Sequence, residues 1–314
     1  MRFVWICVLL SLVPVAGAGA DRPFKYGDFE RWTVRYIKES FLLGGKTRAL
    51  YEIASSDTIR GNVPFSSRAA GTPWTTSNSY ASVFGVEKAS VSVRPERRGD
   101  GYCCRLDCKL DTVTAVGIPL KVLVAGSVFT GESLEPVGMR SDDEVMSMFD
   151  MGVPFTGRPS ALVLDYKARV ADTGVLVYAA ASKSVRYTRG GDGPELFVLL
   201  QRRWEEPDGT LHAERCGTAW ERVERGTDGW VNDHVIPIRW GDITRQPGYH
   251  DYERLQPANF MARNSKGRMT WIVEEGYTTA NPTHIIVFLS AGWNPAFTGC
   301  PGNTLWVDNI RLRY

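Results

Sequence analysis

The chain has 314 residues, with 37 Lys and Arg against 35 Asp and Glu, so its net charge of +2 offers no broad field for nucleic acid or an anionic surface. Apolar residues make up 43% of it, enough for a sizeable core, and 31 glycines with ten tryptophans suit an all-β chain rich in turns. After the first residues no apolar run approaches the ~20 residues of a spanning helix, so membrane insertion is not expected.

Residues 1–20 read as a signal peptide: Arg2, an apolar run from Phe3 to Val15, then the small residues Ala18-Gly19-Ala20 ahead of Asp21. Export to the periplasm, cell surface or medium is the expectation, with residues 21–314 as one domain. Five cysteines follow: Cys103, Cys104, Cys108, Cys216 and Cys300. An exported setting permits disulfides, but the odd count leaves at least one thiol over, and the pairing stays open. Cys103-Cys104-x-x-x-Cys108 lacks the spacing of a zinc knuckle.

Tyr26-Gly27-Asp28-Phe29-Glu30-x-Trp32 opens the domain. A short strand over 51–56 and a long Ser/Thr/Gly-rich loop over 66–78 come next. Strand patterns recur at 89–93, 101–110 and 121–129. Ser141-Asp142-Asp143-Glu144 has the form of a capping box and predicts a short helix through Met148. From Gly152 to Pro159, glycine and proline deliver the chain extended into a strand that alternates. Leu162, Leu164, Tyr166, Ala168 and Val170 share one face of it; Val163, Asp165, Lys167 and Arg169 share the other. Strands at 176–187 and 195–204 follow, and Pro207-Asp208-Gly209-Thr210 predicts a hairpin returning over 211–220. The segment 229–240 reads as strand, 248–264 is least regular, and 269–274, 283–289 and 304–314 close the chain as strands. Many short strands without alternating long helices predict two stacked antiparallel sheets.

Several stretches taken together carry a resemblance: 71–78 (GTPWTTSN), 125–131 (AGSVFTG), 152–170, Gly229-Trp230 with Ile236-Pro237-Ile238, and 302–314 (GNTLWVDNIRLRY). In this order the chain resembles the bacterial family called the putative carbohydrate metabolism domain. The resemblance implies a secreted glycan-handling protein with a carbohydrate-binding-module-like jelly-roll β-sandwich. It also implies a first segment beside the last strand, with a structural calcium held there by carboxylates; Asp28, Glu30 and Asp308 are the candidates. By parity alone Asp308 shares a face with Trp306, Ile310, Leu312 and Tyr314, where a bare carboxylate would need a cation or donors.

Sugar binding calls for flat aromatic rings and planar polar groups. Trp74 in its polar loop, Trp204 beside Glu205 and Glu206, and Trp293 in Gly292-Trp293-Asn294-Pro295 are the stacking candidates. Arg158, Asp165 and Lys167 are the polar ones. The first reading is an exported protein that binds an oligo- or polysaccharide, alongside other surface glycan-utilisation proteins, on a concave sheet face. Two alternatives stand beside it. A glycoside hydrolase or polysaccharide lyase on the same scaffold would need a carboxyl pair, ~5–5.5 Å or ~6.5–9.5 Å apart for a glycosidase, for which Asp165 with Glu195 or Glu205 are candidates. The third is a structural or adhesive surface component. No serine-hydrolase elbow, P-loop or HExxH is present.

Overall fold

The computed structural model describes residues 19–115, 118–138, 142–171, 173–180 and 184–314. Eight strands make its centre: β1 (Gly101–Ala115), β2 (Ser127–Ser133), β3 (Ala161–Arg169), β4 (Glu195–Glu205), β5 (Leu211–Arg222), β6 (Val231–Pro237), β7 (His284–Ser290) and β8 (Thr304–Arg313). They fall into two sheets, ordered β1-β8-β3-β6 and β2-β7-β4-β5, with every one of these pairings antiparallel. That interleaving is the jelly-roll arrangement expected from the sequence.

The core between the sheets follows from alternation. β3 contributes Leu162, Leu164, Tyr166 and Ala168, facing Leu196, Val198 and Leu200 of β4 and Ile285, Val287 and Leu289 of β7. The predicted hairpin forms with Glu195 opposite Arg222 and Glu205 opposite Leu211. Its turn is closed by Gly209 N–H to Glu206 O at 2.8 Å. Pairing departs from antiparallel where Met269–Tyr277 runs parallel to the start of β5. Ile118–Ala125 extends the first sheet as a hairpin with β1. A smaller sheet of Trp32–Lys38, Thr47–Ile53 and Asp57–Arg60 sits over its own cluster of Ile37, Leu50, Tyr80 and Ala89. The buried Arg35, paired with Glu52 and Glu135, ties it in.

The short helix expected through Met148 forms, as a 3-10 stretch over Asp142–Met148, and Ser141 lies outside the described residues. All five cysteines, whose pairing the sequence leaves open, are free, buried thiols. One expectation needs correction. Parity in β8 does not hold through its length. Leu305 and Val307 face the core, as do Ile310 and Leu312, because Asn309 takes φ +52° and inserts a bulge. Trp306 and Asp308 therefore turn to the outer face, away from the residues that parity had grouped with them. The signal-peptide stretch is outside the described residues except for its last two, Gly19 and Ala20.

The first segment does lie beside the last strand: Asp21–Pro23 pairs with Arg311–Arg313, and Ile310 N–H donates to Gly27 O at 2.9 Å. On the outer face the bulge brings Asp308 next to Asp165, and one cation serves both. Arg98 Nη1 donates to Asp165 at 2.8 Å and to Asp308 at 2.7 Å, while Nη2 reaches Asn232 at 2.7 Å. The Trp230 ring caps the guanidinium, its centroid 3.9 Å from Cζ. Asp165 also accepts the Asp233 N–H at 2.8 Å and the Asn309 amide at 2.9 Å. Burial pushes its carboxyl up, but the Asn309, Asp233 and Arg98 donors together hold it below its usual range. At Asp308, with fewer donors, burial wins and the carboxyl is raised.

Removing the shared cation would leave two carboxylates nearly buried and facing each other. Arg98→Ala is expected to destabilise the protein by roughly 3 kcal/mol, read from urea unfolding. An unfolding midpoint equal to that of the wild type would show that the cluster is merely decorative.

Candidate functional site

The outer face of the second sheet carries an apolar cluster of its own, and the cross-strand register sorts that face into rows. Phe129, Phe288, Phe197 and Trp220 stand side by side across β2, β7, β4 and β5. Their ring centroids are 6.1, 4.8 and 4.3 Å apart in that order, the first two pairs stacked and the last tilted. Two residues along each strand lies a polar row: Ser127, Ser290, Glu195 and Arg222. Cross-strand neighbours of this kind are the natural unit of interaction on a sheet. The result is an aromatic floor bordered directly by hydroxyls, a carboxyl and a guanidinium.

Arms of the chain rise around that floor. Met146 and Phe149 stand on one side, Tyr252 and Phe260 on another, and Val122 and Val124 of the β1 hairpin also line the space, a cleft of about 840 Å³. Trp293 and Asn294 complete it from the loop after β7. That loop is pinned by one buried carboxylate. Asp192 accepts the Trp293 N–H and the Asn294 amide on Oδ1, both at 2.9 Å, and the Cys300 N–H at 2.8 Å and Asn303 amide at 3.1 Å on Oδ2. The Trp293 ring then lies over Gly193, where a Cβ would come within 2.7 Å of it. A side chain at 193 would thus displace the ring from its seat.

Glu195 sits where the two rows meet. Its Oε2 accepts the Trp220 indole N–H at 3.1 Å and the Arg222 Nε–H at 3.5 Å. Burial dominates those two donors and pushes the carboxyl up to about 7. Arg222 lies over two rings, 4.5 Å from the Tyr252 centroid and 5.4 Å from that of Trp293. Such a site can stack a flat apolar face, accept or donate hydrogen bonds beside it, and hold a proton on Glu195 near neutrality.

Of the residues singled out in the sequence, Trp293 and Glu195 come together here and the others do not. Trp74 is 0% exposed, packed on Phe24 and Phe29 with its indole donating to Lys25 O, so it has no ring face to offer a ligand. The extended neighbours that made it look like a loop residue place it on a short strand against β2. Asp165 belongs to the Arg98 cluster on the opposite side of the sandwich and does not line the cleft. Lys167 lies over Trp306 on that same face, 4.2 Å from the ring centroid. Arg158 stacks on Trp240 at 3.9 Å and donates to the Thr279 carbonyl. Trp204 stacks on His212 at the far end of the β4–β5 hairpin, where Glu205 accepts from Ser265.

These positions break the proposed carboxyl pairs. Glu205 accepts from Ser265 at the far end of β4, on the other sheet from Asp165. Asp165 and Glu195 point outward from opposite sheets, farther apart than the ~10 Å between the layers. Nor do the calcium candidates assemble. Asp308 is engaged by Arg98, Glu30 accepts the Tyr102 N–H at 3.0 Å, and Asp28 is exposed. Among the described residues no group of three or more His, Cys, Asp or Glu side chains is placed to hold a metal ion. Sequence reading missed Phe197, Trp220, Tyr252 and Arg222; the doubly apolar run from Leu196 to Leu200 was the available signal, since it demands cover on both faces.

No family model matches the chain, and no curated protein matches it in sequence. The motif resemblance therefore has no matching family model behind it. Among solved structures, one from Bacteroides thetaiotaomicron, described as a putative glycoside hydrolase, aligns over 71% of this chain at 15% identity with a TM-score of 0.42. The chain spans 57% of that structure's length, and a likeness of this degree carries no argument about fold or chemistry.

The raised Glu195 carboxyl has a measurable consequence. An unfolded glutamate releases its proton near 4.5, whereas the folded one holds it to about 7, so its contribution to stability is full below 4.5 and lost as pH rises through 7. Glu52, also raised to about 7, behaves likewise, so the comparison must be between proteins that share it. The stability of wild type relative to Glu195→Gln should fall by about 1–3 kcal/mol between pH 5 and pH 8. A difference that stays flat across that range would refute the assignment.

Proposed function

We propose that this protein binds saccharide in the aromatic cleft of the second sheet, with Trp293 and Tyr252 supplying ring faces and Arg222, Asn294 and Glu195 supplying hydrogen bonds to hydroxyls. The observation that carries the reading is the juxtaposition of two rows on one sheet face. An aromatic row borders a polar row in a cleft of about 840 Å³, a size suited to a few sugar rings. Pyranoses present the matching surface: apolar C–H faces above and below, hydroxyls around the edge. The pinning of Trp293 by Asp192 adds to this, because a ring held in place before binding gives up little freedom when a sugar lands on it. Glycan uptake or breakdown outside the cytoplasm is the setting we infer, from the N-terminal sequence.

A direct test is calorimetry or a glycan array with a panel of neutral and acidic oligosaccharides. Trp293→Ala should weaken binding by about 1 kcal/mol or more while leaving the unfolding midpoint nearly unchanged. Wild type that binds no glycan on the array would overturn the reading, and unchanged affinity in the variant would remove Trp293 from the site.

One observation favours a second reading, a glycoside hydrolase. Glu195 keeps a proton up to about pH 7 beside the cleft, as a general acid must. Asp251, which also lines the cleft and forms no ion pair among the described residues, is the available second carboxylate. On that reading, reducing ends accumulate from a bound oligosaccharide and Glu195→Gln abolishes their release while binding persists. Intact oligosaccharide after prolonged incubation with wild type leaves binding alone.

A further inference from the structure

The charges around the cleft are unevenly spoken for. Lys88 is paired with Glu39 at 2.9 Å, and Asp111 with Lys109 at 2.9 Å. Asp251 and Arg254 also line the cleft but are exposed to solvent. Arg222 is different. Among the described residues its one ion-pair partner is Glu195, met by Nε alone at 3.5 Å, and neither terminal nitrogen has a hydrogen-bond partner. The guanidinium lies over the Tyr252 and Trp293 rings, and its side chain keeps 28% of its surface exposed. A planar fork of donors held in place, with both tips unspent, is the geometry that receives a carboxylate through two parallel hydrogen bonds.

From this we infer that the cleft selects saccharides bearing a carboxylate, uronic-acid residues, with Arg222 gripping the carboxylate while the sugar ring lies along Trp293. The inference rests on the saccharide-binding reading and names its ligand class. Three features favour it over a neutral sugar. Hydroxyls could be served by the amide of Asn294 and the serines of the polar row, and would not need a cation. A guanidinium held against rings with its tips open to solvent exchanges water for a carboxylate with little loss of side-chain freedom. Glu195, protonated near neutrality, can then donate to the same carboxylate rather than repel it. Sulfate esters carry the charge but are tetrahedral, and fit a flat fork less well.

The test compares three oligosaccharides of equal length, an oligogalacturonate, a neutral galacto-oligosaccharide and a sulfated galacto-oligosaccharide, by calorimetry against the full chain and two variants. Arg222→Met keeps an unbranched stem over the two rings; Arg222→Lys keeps the charge but loses the fork. Wild type should prefer the uronate about tenfold or more over the neutral glycan. Arg222→Met should erase that preference, weakening the uronate far more than the neutral glycan, with an unfolding midpoint near that of wild type showing that the cleft is intact, and Arg222→Lys should recover only part of it. Equal affinity for uronate and neutral glycan, or for uronate and sulfated glycan, overturns the carboxylate assignment and leaves saccharide binding standing. Binding of none of the three overturns both.

Discussion

Strand β4 carries Leu196, Val198 and Leu200 on one side and Phe197 and Leu199 on the other, so the sheet built around it has to be shielded from water twice. The first sheet covers one side. The other is covered piecemeal by the segment around Met146–Met151, by the stretch from Tyr252 to Ala262 and by the loop bearing Trp293. Cover made of separate arms leaves gaps between them. The cleft is one such gap, with an aromatic floor because the sheet beneath it was apolar from the start.

The first sheet meets water quite differently. Its outer face carries Asp165, Lys167, Trp306 and Asp308, and these are used up among themselves and their neighbours. Arg98 spans both aspartates, Trp230 caps Arg98, and Lys167 leans on Trp306. A nearly buried carboxylate pair is tolerable only with such a cation between them. The face that the sequence makes look open to ligands is thus closed by its own side chains. The face that looks like simple core holds the cleft.

Buried ion pairs recur wherever arms join the sandwich. Arg35 links the small sheet to Glu135, and Arg215 is enclosed with Glu274 beside Gln201 and Gln256. Each pair offers little net stability, but a partner lost would leave a charge stranded, so each fixes how its arm docks. Asp192 does the same for the Trp293 loop with four neutral donors. Rigidity of the cleft wall comes from these joints rather than from the sheet alone.

Alternation, turn chemistry and the Leu196–Leu200 run were enough to read β-sandwich, the β4–β5 hairpin and the inward residues of β3 directly from the chain, because a period of two and a Pro-Asp-Gly turn are local properties. Trp293 was legible too, since its glycine- and proline-flanked loop has little apolar company. What no local pattern could supply was the direction of single side chains past an irregularity. Asn309 shifts β8 by one residue and sends Asp308 outward, and a polar-looking segment pairs with β2 and buries Trp74. Nor could it supply the rows, because Glu195, Arg222 and Ser290 are brought abreast only by the register of three strands distant in sequence. The sequence by itself determined which segments are strands and which of their faces avoid water. Only the tertiary structure decided which side chains stand next to each other, since strand register and the packing of arms depend on contacts between residues far apart along the chain.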